Sequence, residues 1–200
     1  MRIIKIEPKG FESNSYIITA DDKTAVVIDP SSGELIDALE RENLSCRSVL
    51  LTHGHFDHVG MCGRLYESGA EIICGEKEKD FIFSPENREI FGGVYIPSFK
   101  ISRVLRDGEK FTLCGIQFTA LHTAGHTEGS MCYVTEDFLF SGDTLFRSSV
   151  GRTDLPTGDW RKITDSVKKL FSLSGNYKVY TGHGEDTDLN FERKFNPYVR

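Results

Sequence analysis

The apolar and polar positions of the first third of the chain carry mostly strand signals. Residues 2–7 alternate apolar and charged, Ser15–Thr19 reads Ser-Tyr-Ile-Ile-Thr, and Thr24–Ile28 is a β-branched run closed by Asp29-Pro30. Each predicts a strand. From Gly33 to Leu44 the period lengthens, with Leu35, Ala38 and Leu39 set among charges, as in an amphipathic helix. A short buried strand is expected at 48–52, a helix over 59–68 ended by Gly69, and a strand at 71–74. Residues 75–100 carry Pro85, Gly92, Gly93 and Pro97 among aromatics and predict short helices and a loop over one end of the domain. Strands follow near 101–106, 110–113, 116–121, 130–135 and 138–141. Trp160, Ile163, Val167, Leu170 and Phe171 then fall on one helical face, before a strand at 178–181 and a short helix at 189–195. No repeat or linker interrupts this order, so a single α+β domain over 1–200, with two rounds of strands then helix, is the economical reading.

Composition narrows the function. A chain of 200 residues can bury roughly 70% of its unfolded surface and needs no covalent staples. A net charge of −6 offers no basic face for nucleic acid. No apolar run approaches the ~18 residues of a membrane span, and Met1-Arg2-Ile3-Ile4-Lys5 has no apolar signal-peptide core. Five dispersed cysteines with no C-x-x-C pair fit buried thiols in a reducing cytoplasm better than disulfides or a zinc knuckle.

The six histidines carry the chemistry. His53-Gly54-His55-Phe56-Asp57-His58 packs three imidazoles and a carboxylate into six positions. If 53–55 continue a strand, His53 and His55 share a side and can bind one metal ion; Asp57 and His58, beyond the bend, would serve a second. Zinc, iron or manganese suits such donors better than calcium. Three more apolar strands run through a small residue into a metal-type ligand: 116–121 into His122-Thr-Ala-Gly-His126, 138–140 into Ser-Gly-Asp143, and 178–181 into Gly182-His183. Ligands at several strand exits converge on one rim of a scaffold. His122 stands apart, either hydrogen-bonding a ligand or plainly structural.

These segments resemble the metallo-β-lactamase superfamily: His53-x-His55-x-Asp57-His58, His122-Thr-Ala-Gly-His126-Thr-Glu-Gly-Ser130, Ser141-Gly-Asp143-Thr-Leu-Phe and Gly182-His183-Gly184. Within it the chain is similar to short glyoxalase II-like (hydroxyacylglutathione hydrolase-like) hydrolases with Gly151-Arg152-Thr153-Asp154-Leu155-Pro156 after the aspartate and no C-terminal helical domain. The resemblance implies a four-layer αβ/βα sandwich with the site at one edge of the two sheets. It also implies two divalent metal ions, zinc ahead of iron or manganese. His53, His55 and His126 would hold the first, Asp57, His58 and His183 the second, and Asp143 would bridge both. Asp57 and Asp143 are then the catalytic carboxylates, and a hydroxide between the metals would attack a thioester carbonyl.

Glyoxalase II proper carries a Lys and a Tyr where this chain has Val150-Gly151-Arg152-Thr153-Asp154. A small-molecule thioester or ester is therefore the expected partner, with or without glutathione, and Arg152 is expected to pair with Asp154 and hold its loop. The alternative is a persulfide dioxygenase using one iron on His53, His126 and Asp143, with a lactonase behind it. A true β-lactamase is disfavoured, since Asp143 is not its pattern. The pocket wall is expected from 75–100 and 145–156. Phe81, Phe83, Phe91, Tyr95 and Phe99 either line it or, preferably, form the core of a small cap.

Overall fold

A computed structural model describes residues 1–90, 92–93 and 95–199; Phe91 lies outside them. The first sheet takes its strands in chain order: β1 (Arg2–Ile6), β2 (Ser15–Thr19), β3 (Thr24–Ile28), β4 (Ser45–Leu50), β5 (Glu71–Gly75) and β6 (Arg103–Leu105). β1 to β3 are antiparallel, and β3 to β6 run parallel. The parallel pairs need crossovers, supplied by α1 (Gly33–Arg41) between β3 and β4, and by α2 (Phe56–Val59) and α3 (Cys62–Glu67) between β4 and β5. A further short helix, α4 (Pro85–Glu89), lies in the irregular stretch before β6.

The second sheet is built from β7 (Lys110–Leu113), β8 (Ile116–His122), β9 (Met131–Thr135), β10 (Phe138–Gly142), β13 (Lys178–Thr181) and β14 (Thr187–Asp188). Its order is β14-β13-β10-β9-β8-β7. A two-stranded hairpin, β11 (Leu145–Phe146) with β12 (Ser149–Val150), leaves its end. α5 (Trp160–Phe171) crosses from β10 to its parallel neighbour β13, and α6 (Leu189–Phe195) follows β14.

Period two explains the layering. Tyr16, Ile18, Val26 and Ile28 face inward and meet Phe118, Tyr133, Phe140 and Tyr180 of the second sheet. The intervening Ile17, Ala25 and Val27 face outward onto Leu35, Ala38, Leu39 and Leu65 of the first helices. The second sheet's outer face, with Leu121, Cys132, Leu139 and Val179, is covered by Ile163, Val167 and Leu170 of α5. Both sheets are thus buried on both faces, which gives the α/β/β/α sandwich expected from the sequence.

Two local departures matter for the site. The helix expected over 59–68 is two helices, because Met61 N–H donates to Pro30 O at 2.8 Å and Gly60 is pressed against Ser31. The strand expected at 48–52 leaves the ladder after Leu50, and Thr52 N–H donates to the Asp29 carboxylate at 2.7 Å instead.

Candidate metal centre

The histidine cluster begins where β4 ends. Residues 53–55 are not part of a strand, as the sequence suggested; they run unpaired, and His55 is the extended residue in front of α2. The consequence drawn for them still holds, since the His53 and His55 rings lie 4.7 Å apart. α2 then turns the chain, so Asp57 and His58 project separately. His126, in the loop after β8, completes the first group: its Nε2 is 3.0 Å from His55 Nδ1 and 3.2 Å from His53 Nε2.

Parallel pairing of β10 with β13 brings the remaining two residues to the same end of the sheet. His183 Nε2 stands 3.2 Å from Asp57 Oδ2, and His58 Nε2 stands 3.9 Å from the same oxygen. Asp143 lies between the groups. Its Oδ1 is 3.4 Å from His58 Nε2, and its Oδ2 is 3.5 Å from His126 Nε2 and 3.7 Å from His183 Nε2. All seven sequence-predicted residues therefore converge. Three sets place their donor atoms within 4.8 Å of one another: His53, His55 and His126; His53, His58 and Asp143; and Asp57, His58 and His183.

The chain matches the metallo-beta-lactamase superfamily over residues 8–183. It is 36% identical to the hydroxyacylglutathione hydrolase GloC of Haemophilus influenzae, over 100% of this chain and 98% of that protein. Among solved structures it is similar to the B3 metallo-beta-lactamase BLEG-1, with a TM-score of 0.92 and 33% identity over 99% of both chains. It is also similar to TTHA1623 in a di-iron-bound form, with a TM-score of 0.86 and 31% identity over 98% of this chain and 100% of that one. The chain belongs to the metallo-β-lactamase superfamily.

Hydrogen bonds on the far side of three of the rings prepare this superfamily site for a cation. His126 Nδ1 donates to the Arg152 carbonyl at 2.8 Å, which leaves the lone pair on Nε2. His58 Nδ1 donates to Asp29 Oδ2 at 2.9 Å, which turns Nε2 towards the site, where a bound ion would displace the proton it carries. Thr52 Oγ1 gives its proton to Asp29 Oδ2 at 2.6 Å, so it can only accept from His53 Nδ1, 3.1 Å away. Lone pairs of His53 and His126 thus face each other at 3.2 Å. Buried His58 Nε2 and Asp143 Oδ1 have no hydrogen-bond partner among the described residues. Repelling lone pairs and unpartnered buried donors fit bound divalent cations and little else.

The charges agree. Burial and neighbouring imidazoles hold His53 well below its usual range, and burial with His126 brings His55 down to about 3. Burial works against the charge of Asp57 and Asp143 also, but the nearby histidines outweigh it and keep both below the ordinary carboxylate range. His58 is the exception: burial disfavours its charge, yet Asp29, Asp143 and Asp57 raise it well above normal. Neutral imidazoles and ionised carboxylates are the ligand forms that metals take.

Two supporting residues were not foreseen. Asp29, at the exit of β3 with φ +49°, anchors both Thr52 and His58. Glu78 is fully buried and accepts from Gly54 N–H at 2.7 Å and Thr127 Oγ1 at 2.8 Å. It therefore grips the residue between His53 and His55 and the residue after His126. Burial pushes its carboxyl up to about 7.

His122 resolves to structure. Its Nε2 meets the Glu128 carbonyl at 2.8 Å, and no described contact joins it to the seven. Arg152 binds Asp154 bidentately, 2.7 Å at each contact, as expected, while its backbone carbonyl orients His126. A cavity of about 340 Å³ lies over the histidines, walled by Phe146, Arg152 and Leu155 of the 145–156 loop. None of the described residues of 75–100 walls it. Phe83 and Phe99 pack at a tilt, 5.0 Å apart, on the core beneath α3, and among the described aromatics of this stretch only Phe81 approaches the cluster, 5.8 Å from the His55 ring. Phe83 and Phe99 thus take the cap role, whereas Tyr95 is 79% exposed and takes neither.

Proposed function

We propose that this metallo-hydrolase is binuclear and cleaves small thioesters. One observation carries the reading: two complete donor sets, His53/His55/His126 and Asp57/His58/His183, flank a single carboxylate, Asp143, that faces both. Zinc is the first candidate metal, and the di-iron form of TTHA1623 keeps iron beside it. Two divalent ions in these sets would bring a water's pKa towards ~7 and polarise a substrate carbonyl.

The chain's own groups do the rest. Asp143, ionised, spans the two sets and fixes their separation. Asp57 faces the cavity beside His183 and can accept a hydrogen bond from the attacking water, aiming it at the carbonyl. A thiolate leaves without a proton, so the site needs no separate general acid. The name of the Haemophilus influenzae relative supports a hydroxyacyl thioester as substrate. The likeness to BLEG-1 favours a second reading, in which the bond cleaved is a β-lactam amide. Nucleic acids and membranes do not enter this reading. Among the described residues no helix is long and apolar enough to cross a membrane.

The test is metal content per chain by elemental analysis, with hydrolysis of S-lactoylglutathione and of a chromogenic cephalosporin measured in parallel. Close to two ions with thioester cleavage supports the proposal. Two ions with cephalosporin cleavage alone moves it to the second reading. About one iron, no cleavage, and oxygen consumption on glutathione persulfide would replace it with the mononuclear dioxygenase.

A further inference from the structure

Asp57 has a second face. Away from the histidines it borders a cavity of about 590 Å³ lined otherwise by Gly10, Phe11, Glu12 and Phe56. The two cavities share Asp57, so the cleft adjoins the metal centre at that residue. Phe56 is half-buried and anchored on the core beneath α2. Phe11 is 92% exposed on the β1–β2 loop.

That loop is not placed at random. Its root is tied to the ligand-bearing segments: Ser13 N–H donates to Asp57 O at 3.1 Å, and Asn14 N–H donates to Gly182 O at 2.7 Å. Asn14 Nδ2 adds bonds to Thr181 O at 3.0 Å and Gly184 O at 3.1 Å. Phe11 therefore stands beside the centre and lines the same cleft as Phe56. Across the opening, Phe146 and Leu155 are also apolar, and Arg152, the cation of that wall, is held by Asp154. An anionic substrate arm finds no unpaired cation among these lining residues, whereas a hydrocarbon arm finds two aromatic walls.

We propose that the Phe11–Phe56 cleft binds a hydrocarbon arm of the substrate, placing the scissile carbonyl beside Asp57. This deepens the thioester reading and rests on it. The arm can sit on the acyl side or on the thiol side of the bond, and two substrate series distinguish them. The first lengthens the acyl chain of N-acetylcysteamine thioesters from acetyl to hexanoyl; the second lengthens the alkyl thiol of acetyl thioesters. Along the series that fills the cleft, kcat/KM of the metal-loaded enzyme rises by about fourfold per methylene, as burial of hydrocarbon requires. Phe11→Ser flattens that series. Phe195→Ser, an exposed aromatic on α6 outside the cleft, does not.

Calorimetric binding of the S-hexyl and S-methyl thioethers of N-acetylcysteamine decides the cleft independently of turnover. Tighter binding of the hexyl compound, weakened at least tenfold by Phe11→Ser, supports the proposal even if no thioester is cleaved, in which case the hydrolase reading alone fails. Flat series together with equal binding of the two thioethers overturn it, even where acetyl thioesters are hydrolysed. A hexyl preference unchanged by Phe11→Ser also overturns it.

Discussion

Asp29 Oδ2 accepts a hydrogen bond from His58 Nδ1 at 2.9 Å and another from Thr52 Oγ1 at 2.6 Å. One buried carboxylate therefore sets the tautomer of His58 directly and of His53 through Thr52. It decides on which nitrogen each ring carries its lone pair, although it touches no ion itself.

Asp29→Asn tests this. Asparagine tolerates the left-handed backbone at φ +49°, so the fold should persist. The carboxylate accepts at both oxygens, from Thr52 N–H at Oδ1 and from Thr52 Oγ1 and His58 Nδ1 at Oδ2; an amide must turn its NH₂ either against Thr52 N–H or towards His58 Nδ1, where it would favour the proton on Nε2. Metal affinity should fall roughly 10- to 100-fold, measured by competition with a chelator. Unchanged affinity would show that the rings are oriented by packing alone.

Asp143→Ala removes the carboxylate that faces both donor sets. Metal content should drop below two ions per chain, and hydrolysis should fall by roughly a thousandfold or more. Full activity with one ion lost would sink the binuclear reading.

Much of this centre was legible from the sequence, and the reasons are physical. Short runs of β-branched and aromatic residues located Ser15–Thr19, Thr24–Ile28 and Lys178–Thr181, because a strand buried on both faces reads as a continuous apolar run. Ligand-type residues behind a small residue at strand exits marked His126, Asp143 and His183. Asp29 obeys the same rule, as an acid ending an apolar strand, but Asp29-Pro30 reads equally as a turn. Glu78 sits in Glu76-Lys77-Glu78-Lys79-Asp80, which looks like a solvated charge run. Nothing local shows that one of its acids is buried under Gly54 and Thr127. The hairpin strands Leu145–Phe146 and Ser149–Val150 are too short to display any period.

Gly182 is fixed by close approach. A Cβ there would lie 2.0 Å from Asp143 Oδ1 and 3.0 Å from His58 Cε1. Gly182→Ala should displace the Asp143 carboxylate, lower metal content and abolish hydrolysis, while circular dichroism still reports a folded chain. A crystal structure of the variant with Asp143 unmoved would refute the argument.

Arg152→Ala removes an exposed ion pair, of the kind worth at most about 1 kcal/mol. His126 is held by the residue's backbone carbonyl, not by its guanidinium. The melting temperature should fall by a few degrees at most, with metal content retained. Loss of an ion would mean that the side chain itself supports the centre.

Glu78 makes stability depend on pH. Its carboxyl is pushed from an ordinary value of 4.5 up to about 7, first by burial, which outweighs its hydrogen bonds. The native state thus holds a proton that the unfolded chain releases between those values. The protonated form's contribution is fully present below about 4.5 and is lost as pH rises through about 7, a change of roughly 3 kcal/mol at 1.36 kcal/mol per unit. Glu78→Gln carries no such proton. Denaturant midpoints of the metal-free protein, followed from pH 5 to 8, should decline in the wild type relative to the variant, and the gap should level off above pH 7. The variant should also bind metal more weakly, because a glutamine amide can accept from Gly54 N–H or from Thr127 Oγ1 with its single oxygen, where the carboxylate serves both. Parallel pH curves for the two proteins would show that Glu78 titrates normally, and that its hydrogen bonds to Gly54 and Thr127 offset the cost of burying it.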